Sequence, residues 1–231
     1  MNLRVAVTGG TSGLGRALVE ILTDRGDAVA FVARRAEPVR ELARLHPGAH
    51  GIVGDVSRKE EIYPIAMRVT AALGGLDVLV NNASSLGPVP LAPLADTECE
   101  ELEEALATNL VGPFRLTKAL LGALAAAARE GRPALVINII SDAAVHAYRG
   151  WGAYGASKAA LLHMSRIWDE ELHAHGIRVH TFDPGDMDTP LHALAVPDAD
   201  AASLKRPAES AREIIALIDT HREVAGVLGG G

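Results

Sequence analysis

The sequence predicts an α/β fold built on a doubly wound parallel sheet, and three observations carry that reading. Short runs rich in Val, Ile and Leu alternate with segments of helical periodicity, the mark of stacked βαβ units. Hydrophobic residues fill 48% of the 231 positions but aromatics only 3%, so the interior is built from small aliphatic side chains that let helices lie close on a sheet. A glycine-rich turn joins the first apolar run to the first amphipathic segment, where open α/β sheets take their ligands.

Taken in order, strands are predicted at 3–8, 28–33, 49–53, 76–81, 134–140 and 177–182, with a last short strand at 224–228. Helices are predicted between them at 13–25, 38–45, 58–73, 97–129, 153–175 and 208–220. Gly112-Pro113 is expected to kink the long fourth helix, because proline removes an amide donor there. No repeat, Ser-rich linker or low-complexity tract interrupts the pattern, and positions 1–231 read as one domain. The irregular stretches 84–95 and 184–206 each follow the carboxyl end of a predicted strand, so they are expected to frame the active site, the second as a short substrate loop.

Bulk properties narrow the partners. A formal charge of -7 with no block of Lys and Arg gives no footprint for nucleic acid or an anionic membrane surface, and a small-molecule partner is expected. Cys99 is the single cysteine, which rules out an internal disulfide and a thiolate metal cluster within one chain and fits a reducing cytoplasm. The apolar runs 3–7 and 119–128 are too short for a signal-peptide core and a bilayer span respectively, so a soluble, unprocessed chain is expected. His146, His163 and His173 show no metal-ligand spacing with acids or cysteine, and no metal is expected.

The first turn reads Thr8-Gly9-Gly10-Thr11-Ser12-Gly13-Leu14-Gly15. Glycines at 9, 13 and 15 allow the backbone to approach a pyrophosphate, and the following helix turns its unpaired N–H groups toward the anion. In an NAD-binding unit an acidic residue at the end of the second strand hydrogen-bonds the ribose 2′-hydroxyl. That place is Ala33 here, followed by Arg34 and Arg35, whose forked donors suit a 2′-phosphate, so NADP is expected over NAD.

With Asn81-Asn82-Ala83, Asn109, Ser141, Tyr154-x-x-x-Lys158 and Pro184-Gly185-x-x-x-Thr189 following in order, the chain resembles the short-chain dehydrogenase/reductase family from position 3 to about 190. The resemblance implies a Rossmann-type sheet of order 3-2-1-4-5-6-7 and a catalytic tetrad of Asn109, Ser141, Tyr154 and Lys158. It implies hydride transfer between nicotinamide and a carbonyl or secondary alcohol. It also implies that Lys158 hydrogen-bonds the nicotinamide ribose, and that Asn109 holds a water linking Lys158 to solvent. By the same resemblance the coenzyme meets Gly9, Thr11, Ser12, Gly13, Leu14 and Gly15 at its phosphates, Asp55 and Val56 beside adenine, and Asn81 and Ala83 on the ribose side. Pro184, Gly185, Met187 and Thr189 fall at the nicotinamide end. Asp55 is equally placed to cap the third helix.

The chemistry also follows from spacing, since Tyr154 and Lys158 are one helical turn apart on one face. A tyrosine with its ordinary pKa of about 10 is a poor acid or base at neutral pH, and a neighbouring ammonium together with oxidised nicotinamide is expected to lower it. Ser141, at the end of the fifth strand, is expected to hydrogen-bond the substrate oxygen as charge develops. Three positions depart from the family pattern: Ser84 stands for the usual glycine after Asn-Asn-Ala, Asp142 follows Ser141, and Asp183 precedes Pro184. Asp142, Asp186 and Asp188 put negative charge at the mouth, favouring a polar or cationic substrate, or else they cap local turns. Tyr148, Trp151, Val145, Met187 and Leu191 are candidates for an apolar pocket wall. A homodimer or homotetramer through the fourth and fifth predicted helices, with Trp168 at the contact, is implied by the resemblance. Two other readings fit less well: a non-catalytic NADP-binding redox sensor, which has no need of Tyr154 and Lys158, and a sugar-nucleotide epimerase or dehydratase, whose chains are longer with a different glycine spacing.

Overall fold

The computed structural model describes residues 2–228. Six parallel strands lie in the order β3-β2-β1-β4-β5-β6. They are β1 (Arg4–Thr8), β2 (Ala28–Ala33), β3 (Ala49–Val53), β4 (Val78–Asn81), β5 (Leu135–Ile139) and β6 (Arg178–Phe182). The two-residue period of the strands sorts the core into two layers: Val5 and Val7 point to one side of the sheet and Ala6 to the other. On the first side pack α1 (Gly13–Asp24), α2 (Ala36–Leu45) and α8 (Pro207–Leu228). On the second pack α3 (Ile62–Leu73), α5 (Gly112–Arg129) and α6 (Gly152–Leu172). Phe31 is the one aromatic among the largest fully buried side chains, so the layers are aliphatic and close, as the composition requires.

Two expectations are corrected. Positions 224–228 continue α8 and form no seventh strand; between Thr220 and Val224 there is neither Gly nor Pro to stop the helix, so it runs on. The predicted fourth helix is two helices, α4 (Cys99–Leu106) and α5, joined by a π-turn at Ala107–Val111. The irregularity sits ahead of Gly112-Pro113, and Pro113 then occupies the first turn of α5, where its missing N–H costs nothing. A Glu98/Glu101 capping box starts α4. Among the described residues only the run Cys99–Arg129 is long and apolar enough by length and composition to cross a membrane. Its Leu116, Leu120, Leu124 and Ala127 face the core.

At the amino end of the sheet Asp77, its side chain fully buried, accepts Arg4 Nε at 3.1 Å, Arg4 Nη2 at 2.7 Å and Arg132 Nε at 2.8 Å, with the Arg4 backbone N–H at 2.8 Å. Burial opposes ionisation, but the hydrogen bonds from Arg132 and Arg4 outweigh it and hold the Asp77 carboxyl below its ordinary value.

Candidate active site

The opposite, carboxyl end of the same strands opens into a cleft of about 970 Å³. It begins at the turn between β1 and α1. A Cβ on Gly9 (φ +68°) would lie 2.9 Å from Asn82 Nδ2, and one on Gly15 would lie 2.2 Å from the Gly9 carbonyl, so only glycine fits either place. Asn82 latches the turn from β4: its Nδ2 donates to the Thr8 carbonyl at 2.9 Å, while the Asn82 and Ala83 N–H groups donate to Thr8 Oγ1 at 2.9 and 3.0 Å. Ser12, at the amino end of α1, makes no side-chain cap, which leaves the first-turn N–H groups to an external acceptor. A bare helix terminus behind a turn whose glycines carry no Cβ at the points of closest approach fits the pyrophosphate of a dinucleotide.

Arg34 and Arg35 line the cleft after Ala33, both exposed, and among the described residues neither is paired with a carboxylate. Asp55 and Val56 line it too, as do Thr11, Ser12, Gly13, Leu14, Ala83, Pro184, Gly185, Met187 and Thr189. Asp55 also serves the turn before α3, its Oδ1 accepting Ser57 N–H at 2.9 Å and Ser57 Oγ at 2.7 Å. Asn81 departs from expectation. Its side chain turns into the sheet, donating to Asn138 Oδ1 at 2.8 Å and Thr117 Oγ1 at 3.2 Å, and it does not line the cleft. Thr189 caps the short helix α7 (Pro190–Ala195), accepting His192 N–H at 3.1 Å.

Ser141, Tyr154 and Lys158 meet on the cleft's inner wall. The amphipathic pattern of α6 places Tyr154 (8% exposed) and Lys158 (2%) on its inner face. Lys158 Nζ lies 5.5 Å from the Tyr154 ring centroid and donates to the Ile139 carbonyl at 2.8 Å. Burial pushes the Lys158 ammonium down to about 8. Burial also pushes the Tyr154 phenol up to about 12, with the Ser141 and Ser84 hydroxyls opposing and the Asp183 and Asp142 charges adding to the rise. The expected lowering of Tyr154 is therefore not produced by the chain's own groups, because loss of hydration outweighs the two serine hydroxyls that favour the phenolate.

Ser141 Oγ accepts Ala143 N–H at 3.2 Å and donates to Asp142 Oδ1 at 3.0 Å. Asp142 Oδ2 accepts the Tyr148 hydroxyl at 2.7 Å, and this bond first, then that from Ser141, holds the Asp142 carboxyl below its ordinary range. Trp151 stands edge-on to Tyr154 at 5.6 Å and to Tyr148 at 6.4 Å, completing an aromatic wall. Asp186 is outermost, 82% exposed, its Oδ1 3.7 Å from His192 Nε2.

Asn109 lies in the π-turn, fully buried, beneath the cleft. Its Nδ2 donates to the Ser85 carbonyl at 2.7 Å and Ser157 Oγ at 2.8 Å, while its Oδ1 accepts Ser85 N–H at 2.8 Å and Ser84 Oγ at 3.2 Å. Asn82, Ser84 and His192 also line the cleft, three positions not expected to contribute to the site. Asn82 had a signal in the middle of Asn-Asn-Ala; His192 had none. Among the described residues no group of three or more His, Cys, Asp or Glu is placed to hold a metal ion.

A glycine-rich turn at the first strand, paired with a buried Tyr and Lys at the ends of the later ones, defines a nucleotide-binding oxidoreductase site on a Rossmann fold. Comparison with known proteins agrees. Residues 4–200 match the model of the short chain dehydrogenase family. An uncharacterised short-chain type dehydrogenase/reductase of Sinorhizobium fredii is 34% identical over 191 residues, 82% of this chain, which spans only 33% of that longer protein. Serine 3-dehydrogenase of Rhizobium radiobacter is 33% identical over 193 residues, 82% of this chain and 74% of that one. A solved short chain dehydrogenase from Shigella flexneri, complexed with NADP, superposes with a TM-score of 0.87 at 26% identity, covering 96% of this chain and 94% of that one. The chain belongs to the short-chain dehydrogenase/reductase family.

Proposed function

We propose that this chain is an NADP-dependent oxidoreductase that exchanges a hydride between nicotinamide and a carbonyl or secondary alcohol, with Tyr154 as its general acid and base. The observation that carries the reading is the placing of Tyr154 and Lys158 side by side, both buried, in the cleft that starts at the glycine turn.

The residues divide the work. The turn Gly9 to Gly15 and the amino end of α1 hold the pyrophosphate; Arg34 and Arg35 take the 2′-phosphate; Asp55 and Val56 flank the adenine; Pro184, Gly185, Met187 and Thr189 bound the nicotinamide end. Nicotinamide, when bound, supplies or accepts the hydride and, oxidised, carries a positive charge. Tyr154 gives its phenolic proton to the substrate oxygen, or takes it in the reverse direction. Ser141 faces the same oxygen and steadies it once its own proton swings away from Asp142. Lys158 holds positive charge below the phenol and is one protonation step from neutrality near its value of about 8. The four bonds on the Asn109 side chain leave it no room for a relay water. Its backbone carbonyl, in the π-turn, is the place for the water that links Lys158 to solvent. Tyr148 and Trp151, with Asp142 tethering the first, form the substrate wall.

The single exposed cysteine suits a cytoplasmic setting. Homo-oligomers form through the outer faces of α5 and α6, where Phe114 and Trp168 meet at 5.8 Å and Lys118 lies over Phe114. The test is a screen of carbonyl compounds with NADPH, followed by loss of nicotinamide absorbance and repeated with Tyr154→Phe. Activity that survives in the variant overturns the mechanism, and coenzyme binding without any turnover in either protein returns the chain to a redox sensor.

A further inference from the structure

Ser84 is where the chain departs from Asn-Asn-Ala-Gly, and the structure puts the added hydroxyl between two members of the tetrad. From the end of β4 it reaches Asn109 Oδ1 at 3.2 Å on one side, and on the other it shares the cleft wall with Tyr154, where its hydroxyl favours the phenolate. It lines the cleft, whereas Asn109 lies beneath it. A serine hydroxyl has one proton to give, so its two neighbours compete for it.

The competition is uneven in a useful way. Asn109 Oδ1 already accepts the Ser85 N–H at 2.8 Å, shorter than its 3.2 Å bond from Ser84, and keeps a partner if Ser84 turns away. Asn109 itself stays fixed by the Ser85 carbonyl and Ser157 Oγ. Tyr154 has no such reserve: at 8% exposure, water contributes little, and its other hydroxyl neighbour, Ser141, donates to Asp142 at 3.0 Å. A phenolate formed in that place lies in an environment where an unpaired charge is costly and a charge-assisted hydrogen bond is strong.

We propose that Ser84 is a positioning residue for proton transfer, whose hydroxyl donates to Asn109 while Tyr154 is neutral and rotates to donate to the Tyr154 oxygen once that proton has left. The proton of Ser84 stays on Ser84 throughout; only its hydrogen-bond acceptor changes. This rests on the reading of Tyr154 as the proton donor. The other charged groups facing the phenol are Lys158 from α6, Asp142 after β5 and Asp183 after β6, and none is altered by changing position 84.

The test reads the phenol directly and needs no substrate. The chain has three tyrosines, so ¹³C labelling at Cζ gives three resonances, assigned with single Phe substitutions. Tyr154 is followed as pH rises from neutral to the limit of the fold, with NADP⁺ present and absent, in the parent, Ser84→Ala and Ser84→Thr. A charge-assisted bond of about 1.5 kcal/mol corresponds to roughly tenfold less phenolate in Ser84→Ala at any pH below its midpoint, with the hydroxyl of Ser84→Thr restoring the parent curve. Superimposable parent and Ser84→Ala curves, flat ones included, overturn the proposal, as does a Ser84→Thr curve shifted as far as that of Ser84→Ala. An unaltered melting temperature for Ser84→Ala shows that the shift is not a loosened Asn109. A chain that reduces no carbonyl compound still reports on Ser84 here, so the two readings fail separately.

Discussion

The two ends of the sheet use polar side chains in opposite ways. At the amino end, Asp77 is buried with donors on both oxygens, from Arg4 and Arg132, and nothing there lines the cleft. At the carboxyl end, Tyr154 and Lys158 are as deeply placed but incompletely paired: the ammonium has one carbonyl, and the phenol has two hydroxyls already engaged elsewhere. The shifts follow from that difference. Strong hydrogen bonds win over burial at Asp77, which is held in its charged form, whereas burial wins at Tyr154 and Lys158, which are pressed toward neutrality. An end that is satisfied by its own chain stabilises the fold; an end that is not retains capacity for a ligand.

The sharpest way to break this contrast is Tyr154→Phe. Turnover is expected to fall by about 10³-fold, the middle of the range for loss of a general acid, while the unfolding free energy changes by less than about 1 kcal/mol. Asp77→Ala should do the reverse. Two largely buried guanidinium groups would lose their shared partner, at a cost of about 3 kcal/mol in denaturant unfolding, with turnover per folded molecule unchanged. The acid limb checks the same residue. The Asp77 carboxyl is lowered in the fold, so the stability it contributes is present above the ordinary carboxylate pKa and is lost as pH falls through the lowered value. The parent and Asp77→Ala unfolding curves should therefore converge toward low pH. Equal losses of activity and stability in either variant would erase the distinction between the two ends.

Much of this architecture was legible in the chain. The runs 28–33 and 49–53 coincide with β2 and β3, since each is a short apolar segment bounded by polar or turn residues. The glycine turn, Ser141, Tyr154 and Lys158 were readable because each sits at a fixed offset from a strand end or along a helical turn. What escaped depends on the third dimension. Asn81 and Asn82 are consecutive, and the period of two sends one into the sheet and the other to the turn, but which is which depends on the pleat. The sign of the Tyr154 shift depends on depth of burial, which a four-residue spacing does not contain. The bond from Tyr148 to Asp142 crosses a loop without periodicity. The extra residue of the π-turn leaves no mark on a 3.6-residue pattern that resumes after it.

Lys158→Met sharpens the comparison at intermediate scale. The ammonium is lowered to about 8, so between that value and its ordinary 10.5 the unfolded chain binds more protons and stability rises with pH. Below pH 8 the charged form is retained at a cost. Methionine removes that cost, and a gain of about 1–2 kcal/mol is expected at neutral pH, shrinking as pH climbs through the window. Activity should be lost at every pH. A variant less stable than the parent at neutral pH would show that the bond to the Ile139 carbonyl outweighs burial of the charge.

Arg34→Asp separates the two ends by their arginines and has the smallest expected effect. Arg4 and Arg132 are bound to Asp77, and replacing either must disturb the fold; Arg34 is exposed at the cleft with no carboxylate partner among the described residues. Its replacement should leave unfolding within about 0.5 kcal/mol of the parent, as for most surface positions. Coenzyme titrations should instead show NADP weakened about tenfold, the worth of one charge-assisted hydrogen bond, with NAD binding retained or improved as the carboxylate meets a ribose hydroxyl. Parallel losses for both coenzymes would place Arg34 on a phosphate common to them. An unchanged ratio and unchanged affinities would leave the 2′-phosphate to Arg35, whose place at the start of α2 keeps it beside the same end of the cleft.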